Sequence, residues 1–155
     1  MARLAVDTPF GPMVLEGEEN LTRLWLPNTL PDDRGRGEET PLLRVARTQL
    51  LEYLSGARRS FDLPLDPAGT DFQRSVWEAL RAIPYGQTRT YGEIAAAVGR
   101  PRAVRAVGQA NHVNPLPIFI PCHRVVGKNG ALTGYAGGLD LKRALLALES
   151  GKECL

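Results

Sequence analysis

The chain has 155 residues, 43% hydrophobic and 23% charged, with a formal net charge of +2. That composition belongs to an ordinary globular protein of one average domain or two small ones, and it excludes disordered, collagen-like and repeat architectures. No apolar run approaches the roughly 18–20 residues of a membrane span. Two cysteines, Cys122 and Cys154, are too few for a disulfide framework. With only His112 and His123 beside them there is no four-ligand set for zinc, so neither a metal nor a cofactor is expected and each cysteine is read as a thiol.

The apolar start of the chain is interrupted by Asp7 and Pro9 before it could form a secretory segment, so a cytoplasmic location is expected. Residues 4–6, 13–16 and 22–26 are short apolar-rich stretches parted by turn-forming residues, the pattern of a small antiparallel meander. Residues 27–40 form a charged loop. Thr40 as N-cap and Pro41 at the first helical position then open a helix, carrying Leu42, Leu43, Val45, Ala46, Leu50, Leu51 and Leu54 to Gly56 and expected to cover one face of the meander. Pro64, Pro67 and Gly69 mark a boundary, giving lobes of residues 1–66 and 67–155. Thr70 and Gln73 fit a capping box for a helix with Phe72, Val76, Leu80 and Ile83 at helical spacing, ended by Pro84 and Gly86.

Charge follows the same division. Residues 1–70 carry eight Arg and no Lys against eleven acidic residues, net −3, whereas residues 71–155 carry eleven basic against six acidic, net +5. Between Phe72 and Lys128 eight basic residues face only Glu78 and Glu93. This footprint suits a polyanion, but on charge alone a solvated face is the simpler reading.

Thr90 and Glu93 have capping-box spacing for a short helix through Val98, residues 99–101 make a turn, and residues 103–112 form a second helix. The spacing is that of a helix-turn-helix, although a purely structural hairpin has the same grammar. Arg105 stands on the second helix among Ala103, Gly108 and Ala110, residues small enough to let a helix approach a duplex. After Asn114 and two prolines, residues 118–120 read as a short buried strand leading to Pro121-Cys122-His123-Arg124-Val125.

In a regular strand Cys122 and His123 would face opposite ways, so they cooperate only if the chain turns after Pro121 or a water links them. An imidazole and a positive neighbour such as Arg124 favour a thiolate; a buried inert thiol is the alternative. Residues 127–130 make a turn, Gly137-Gly138 either admits a ligand or acts as a joint, and residues 139–149 form a last helix. On it Leu141, Leu145 and Leu148 read as core, with Lys142 and Glu149 on another side. Glu149 either orients an imidazole or is solvated. Cys154 reads as a tail thiol.

Pro-Cys-His-Arg-Val at 121–125, after Asn-Pro-Leu-Pro-Ile at 114–118 and Arg-Ala-Val-Gly-Gln-Ala at 105–110, resembles the signature of the O6-alkylguanine-DNA alkyltransferases. The resemblance implies an α+β fold: a small N-terminal antiparallel-sheet lobe, ribonuclease H-like or ferredoxin-like, and a C-terminal winged-helix-like lobe with a helix-turn-helix. It implies direct-reversal DNA repair, in which an alkyl group passes irreversibly from O6-alkylguanine, with O4-alkylthymine a second candidate, to the protein's own cysteine after nucleotide flipping. The implied partner is double-stranded DNA, with a monomer and no obligate protein partner expected.

By position, the resemblance makes Cys122 the acceptor, His123 a base acting through a water, Glu149 the carboxylate polarising His123, and Asn114 the tie between recognition helix and active-site turn. Tyr91 would press on the target phosphate and donate to the base. Arg105 would fill the vacated stack, and Ala103, Gly108 and Ala110 would allow close minor-groove approach. Tyr135 and the Ala136 N–H would form the pocket wall and the donor to O6, while the carbonyls of Cys122 and Val125 would accept from the guanine amino group. On this reading Glu149→Gln lowers Cys122 reactivity and leaves the fold intact. A damage sensor with a silent cysteine and a cysteine hydrolase are the other readings.

Overall fold

Three strands open the chain because turn residues reverse it twice. β1 (Arg3–Thr8) pairs antiparallel with β2 (Gly11–Glu16), Val6 opposite Met13, and β2 pairs with β3 (Arg23–Trp25), Val14 opposite Trp25. At the first reversal the Thr8 hydroxyl donates to the Gly11 carbonyl at 2.7 Å and accepts from the Phe10 N–H, fixing the hairpin register. The structure, a computed structural model, describes residues 2–33 and 36–151; Cys154 lies outside the described residues. It divides into two units, Met1–Pro67 and Ala68–Leu155.

In the first unit α1 (Pro41–Leu54) starts where Thr40 accepts from the Leu43 N–H, with Pro41 in its first turn. Leu43, Ala46, Leu50, Tyr53 and Leu54 recur at three- and four-residue spacing and are buried as the helix packs on β1 and β2. Val45, read as part of the apolar face, stands 47% exposed because its position falls on the opposite side of the helix. The Gln49 amide exchanges two hydrogen bonds with the backbone of Asp62, fastening the return of the chain to the helix.

The second unit is helical. α2 (Asp71–Arg81) has the Thr70–Gln73 capping box, and α3 (Tyr91–Ala97) has the Thr90–Glu93 one. Gly99 at φ +76° makes the turn into α4 (Val104–His112), and α2, α3 and α4 pack together. Trp77, 2% exposed, locks α2 to α4 by donating its indole N–H to the Ala110 carbonyl at 2.9 Å. A Cβ at Gly69 would overlap that indole ring and crowd the Gln73 carboxamide that closes the capping box. Gly69→Ala is therefore expected to destabilise the protein by about 1–3 kcal/mol through overpacking, measured as a lower urea midpoint at unchanged slope.

Two expectations are corrected here. Residues 118–120 are not a strand: Ile118 sits at φ +73°, and the Phe119 N–H closes a three-residue turn on the Pro117 carbonyl at 2.9 Å. Prolines 115, 117 and 121 on either side of this stretch lack the N–H groups that would extend a ladder, and the chain coils instead. On α5 (Leu139–Ser150) the buried side chains are Lys142, Ala144, Leu145 and Glu149, while Leu141 and Leu148 are only half-buried. Lys142, Leu145 and Glu149, at i, i+3 and i+7, share the inward stripe because the two charges have partners there.

Candidate active site

Residues 114–127 are all buried, although those before Cys122 belong to no helix or strand. Backbone in that state needs internal hydrogen bonds, and Asn114 supplies two: its Nδ2 donates to the Ile120 carbonyl at 3.0 Å and its Oδ1 accepts from the Leu116 N–H at 3.0 Å. These bonds hold the coil across the Ile118 turn, whose positive φ is strained for a β-branched residue. The next residue to bend is Pro121, at φ −78° and ψ 66°, where the Cys122 N–H bonds the Ile120 carbonyl at 2.7 Å in an inverse γ-turn. Cys122–Arg124 is a single 3-10 turn. The chain thus turns after Pro121, the condition under which an adjacent cysteine and histidine escape the opposite faces of a strand.

β5 (Val125–Val126) follows and pairs in parallel with β4 (Arg89–Thr90), joining the Cys122 turn to the start of the helix-turn-helix. Cys122 is 3% exposed. Burial pushes its thiol up to about 11, against the opposing influence of a hydrogen bond from Asn114, the Lys142 ammonium and Tyr135. The resting group is therefore a thiol at neutral pH, and the proton must leave when the sulfur attacks.

His123, fully buried, lies with Nε2 2.8 Å from Glu149 Oε2. Burial lowers its pKa, Glu149 pulls the other way, and Arg124 and Lys142 add to the lowering, so the ring is neutral at neutral pH. A carboxylate can only accept, which assigns the proton to Nε2 and leaves Nδ1 as the ring's acceptor nitrogen.

Arg124 does not serve as the positive neighbour of the thiol. Its Nε and Nη2 meet both Glu149 oxygens at 2.7 and 2.8 Å, its Nη1 donates to the Ile83 carbonyl at 2.7 Å, and its guanidinium lies 5.6 Å from the Tyr85 ring centroid. The Gly86 N–H adds a fourth bond to Glu149 at 3.3 Å.

Lys142 takes the electrostatic role instead. It is fully buried, and its Nζ donates to the carbonyls of Val125 at 2.6 Å and Thr133 at 2.9 Å. The sequence reading placed it on α5 without a function; the signal was a lysine sharing one helical stripe with Leu145 and Glu149.

Tyr91 and Gly108 line a cavity of about 350 Å3 together with Val104, Asn111, His112, Gly127, Thr133 and Gly134, and the Thr133 hydroxyl donates to the Tyr91 oxygen at 3.1 Å. Arg105 is exposed in the first turn of α4, and Ala103 is half-buried at its cap. Tyr135 is buried and Ala136 half-buried on the loop before α5. Ala110 is corrected: at 1% exposure, with its carbonyl taken by Trp77, it packs against α2 and presents nothing to a duplex. Among the described residues no group of three or more His, Cys, Asp or Glu could hold a metal ion.

The protonic equilibrium of Cys122 has a measurable consequence. Its folded pKa lies above the ordinary value of 9, so the stabilisation it confers is complete below pH 9 and is lost as pH rises through about 11. Unfolding by urea is expected to become easier across that window by up to about 2–3 kcal/mol, with a shallower fall in Cys122→Ser.

A small sheet unit followed by a helix-turn-helix unit that buries a cysteine beside a histidine–carboxylate pair defines a narrow class of protein. The family model for the 6-O-methylguanine DNA methyltransferase, DNA binding domain, matches residues 71–151. The chain is 52% identical over 151 residues to the constitutive methylated-DNA–protein-cysteine methyltransferase of Bacillus subtilis (strain 168), covering 92% of each chain. It is 51% identical over 149 residues to the methylated-DNA–protein-cysteine methyltransferase of Methanosarcina acetivorans, covering 92% of this chain and 94% of that one. The Mycobacterium tuberculosis OGT crystallised in complex with DNA superposes with a TM-score of 0.89 at 47% identity, over 97% of this chain and 94% of that chain. The chain belongs to the 6-O-methylguanine DNA methyltransferase family.

Proposed function

We propose that the protein repairs alkylated DNA by direct reversal, moving the alkyl group of O6-alkylguanine irreversibly onto Cys122. The observation that carries this reading is the buried Cys122-His123 turn, bonded to Glu149 of α5 and joined by β5 to the helix-turn-helix. A base inside a duplex cannot reach a buried thiol, so the nucleotide is flipped out, a step costing a few kcal/mol and less for a badly paired lesion.

The Cys122 sulfur attacks the alkyl carbon in line, forming an S–C bond as the C–O6 bond breaks. The thiol proton passes to His123 Nδ1 through a water, while Glu149 holds the ring by Nε2. The guanine leaves as an anion stabilised by hydrogen bonding at O6, for which the Ala136 N–H is the proposed donor, with Tyr135 as pocket wall. Binding comes from the phosphate contacts of the basic second unit, with little sequence preference. Tyr91 contacts the target phosphate, and Gly108 and Ala103 allow α4 its close approach. Asn114 keeps the acceptor turn in register. The protein acts as a cytoplasmic monomer; among the described residues no helix is long and apolar enough to cross a membrane.

Arg105, exposed at the start of α4, fills the space the base vacates. Arg105→Ala is expected to slow transfer from duplex DNA at least tenfold and transfer from the free base hardly at all, because only the duplex has a stack to fill. Single-turnover rates on the two substrates check this, and equal losses would place Arg105 in folding or in the pocket.

A further inference from the structure

Thr133 lines the cavity of about 350 Å3 beside Tyr91 and Gly127, and three anchors hold it there. The parallel pairing of β4 with β5 sets Thr90 beside Val126, so the next residues, Tyr91 and Gly127, leave the pair together. Asn129 at φ +63° and Gly130 at φ +78° then reverse the chain, and the Gly127 N–H bonds the Ala131 carbonyl at 2.7 Å, which returns Thr133 toward Gly127. There the Thr133 methyl lies so close that a Cβ at Gly127 would stand 2.9 Å from it. The Thr133 carbonyl accepts from Lys142 Nζ at 2.9 Å. With its methyl against Gly127 and its carbonyl held by α5, this stiff β-branched side chain gives its hydroxyl to the Tyr91 oxygen, 3.1 Å away and 42 residues earlier in the chain. A phenol both accepts and donates. Tyr91 accepts from Thr133 and has no other hydrogen-bond partner among the described residues, so its own hydrogen is unspent.

We infer that Thr133 is a positioning residue for Tyr91: its hydroxyl fixes the phenol at the cavity wall and commits the phenol hydrogen to the target nucleotide. The inference rests on the alkyl-transfer reading above, in which Tyr91 contacts the target phosphate. A phosphate oxygen only accepts, so Tyr91 must donate to it. Thr133 donating to Tyr91 and Tyr91 donating onward run in one direction, and a hydroxyl that accepts one bond is polarised into a better donor for the next. Without the Thr133 hydroxyl the phenol oxygen takes its bond from water, the ring loses its tether to the loop before α5, and the phosphate contact forms less often.

The test is a cycle of Thr133→Val, Tyr91→Phe and the two together, read as single-turnover methyl transfer from duplex DNA carrying O6-methylguanine at sub-saturating concentration. Valine keeps the methyl on Gly127 and removes only the hydroxyl. Thr133→Val is expected to slow the parent about three- to tenfold, the worth of one hydrogen bond. In the Tyr91→Phe background, where no phenol is left to position, the same change is expected to stay within about twofold. Thr133→Ser, which keeps the hydroxyl and gives up the methyl, is expected to retain most of the parent rate. No loss in Thr133→Val, an equal loss in both backgrounds, or a serine as slow as the valine would make Thr133 a packing residue and overturn the inference. Thr133→Ala enters the same cycle if the valine does not fold. A Tyr91→Phe protein as fast as the parent overturns the inference together with the Tyr91 contact while methyl transfer stands; a parent that accepts no methyl overturns the alkyl-transfer reading itself.

Discussion

Given an excess of duplex DNA containing O6-methylguanine, the protein is expected to transfer one methyl group per molecule and then stop. The product on Cys122 is a thioether. Unlike an acyl-enzyme it has no electrophilic carbonyl for water to attack, so in the proposed mechanism the neutral His123 has no hydrolytic step to assist. Product should appear as a burst whose size equals the number of active molecules and does not change with the excess of DNA. Digestion should place one methyl group on the peptide containing Cys122. Cys122→Ser is expected to lose transfer completely while retaining DNA, because the residue is buried and contributes chemistry, whereas phosphate contacts elsewhere on the second unit supply affinity. Continued turnover, counted against titrated active sites, would put a hydrolase in place of a repair protein. Label on Cys154 would move the acceptor.

Glu149→Gln is expected to be severe, and for a reason the sequence did not offer. A change that removed only a partner of His123 would spare the fold. Glu149, however, also receives two bonds from Arg124, and its side chain is 1% exposed. A neutral amide leaves the guanidinium buried without its counter-charge and turns an N–H2 toward donors, so the loss is expected near 3–5 kcal/mol. Chemical denaturation measures it. Combining the change with Arg124→Met should recover part of the loss, because the uncompensated cation is then gone; a double variant no better than the single one would place the cost elsewhere. The His123 ring would also lose the acceptor that fixes its tautomer, so alkyl transfer by whatever fraction remains folded should fall as well.

Elements with local causes were legible. The capping boxes at Thr70–Gln73 and Thr90–Glu93, and the Thr40 cap with Pro41, are written in adjacent residues and recur in the structure where the spacing put them. The acceptor segment was legible as a motif and not as geometry. Apolar Ile118, Phe119 and Ile120 carry the composition of a strand, and their coil depends on Asn114 bonds and flanking prolines, which no periodicity reports. Buried charges were the other blind spot. Lys142 and Arg124 look like surface residues until the carbonyls of Val125, Thr133 and Ile83 and the carboxylate of Glu149 are brought to them from as many as 41 residues away. Ala110 erred the opposite way, a small residue taken for an outward one.

Much of what encloses the thiol arrives late in synthesis. Lys142 and Glu149 stand on α5, made after Cys122, His123 and Arg124 have already emerged. Until α5 docks, Arg124 has no carboxylate, His123 has no tautomer-fixing acceptor, and the Val125 carbonyl has no ammonium. Before that docking the thiol lacks the Lys142 ammonium and the packing of α5 on its turn. If transfer stops after one alkyl group, as expected above, that interval is the time in which a molecule can be spent before it has met a lesion.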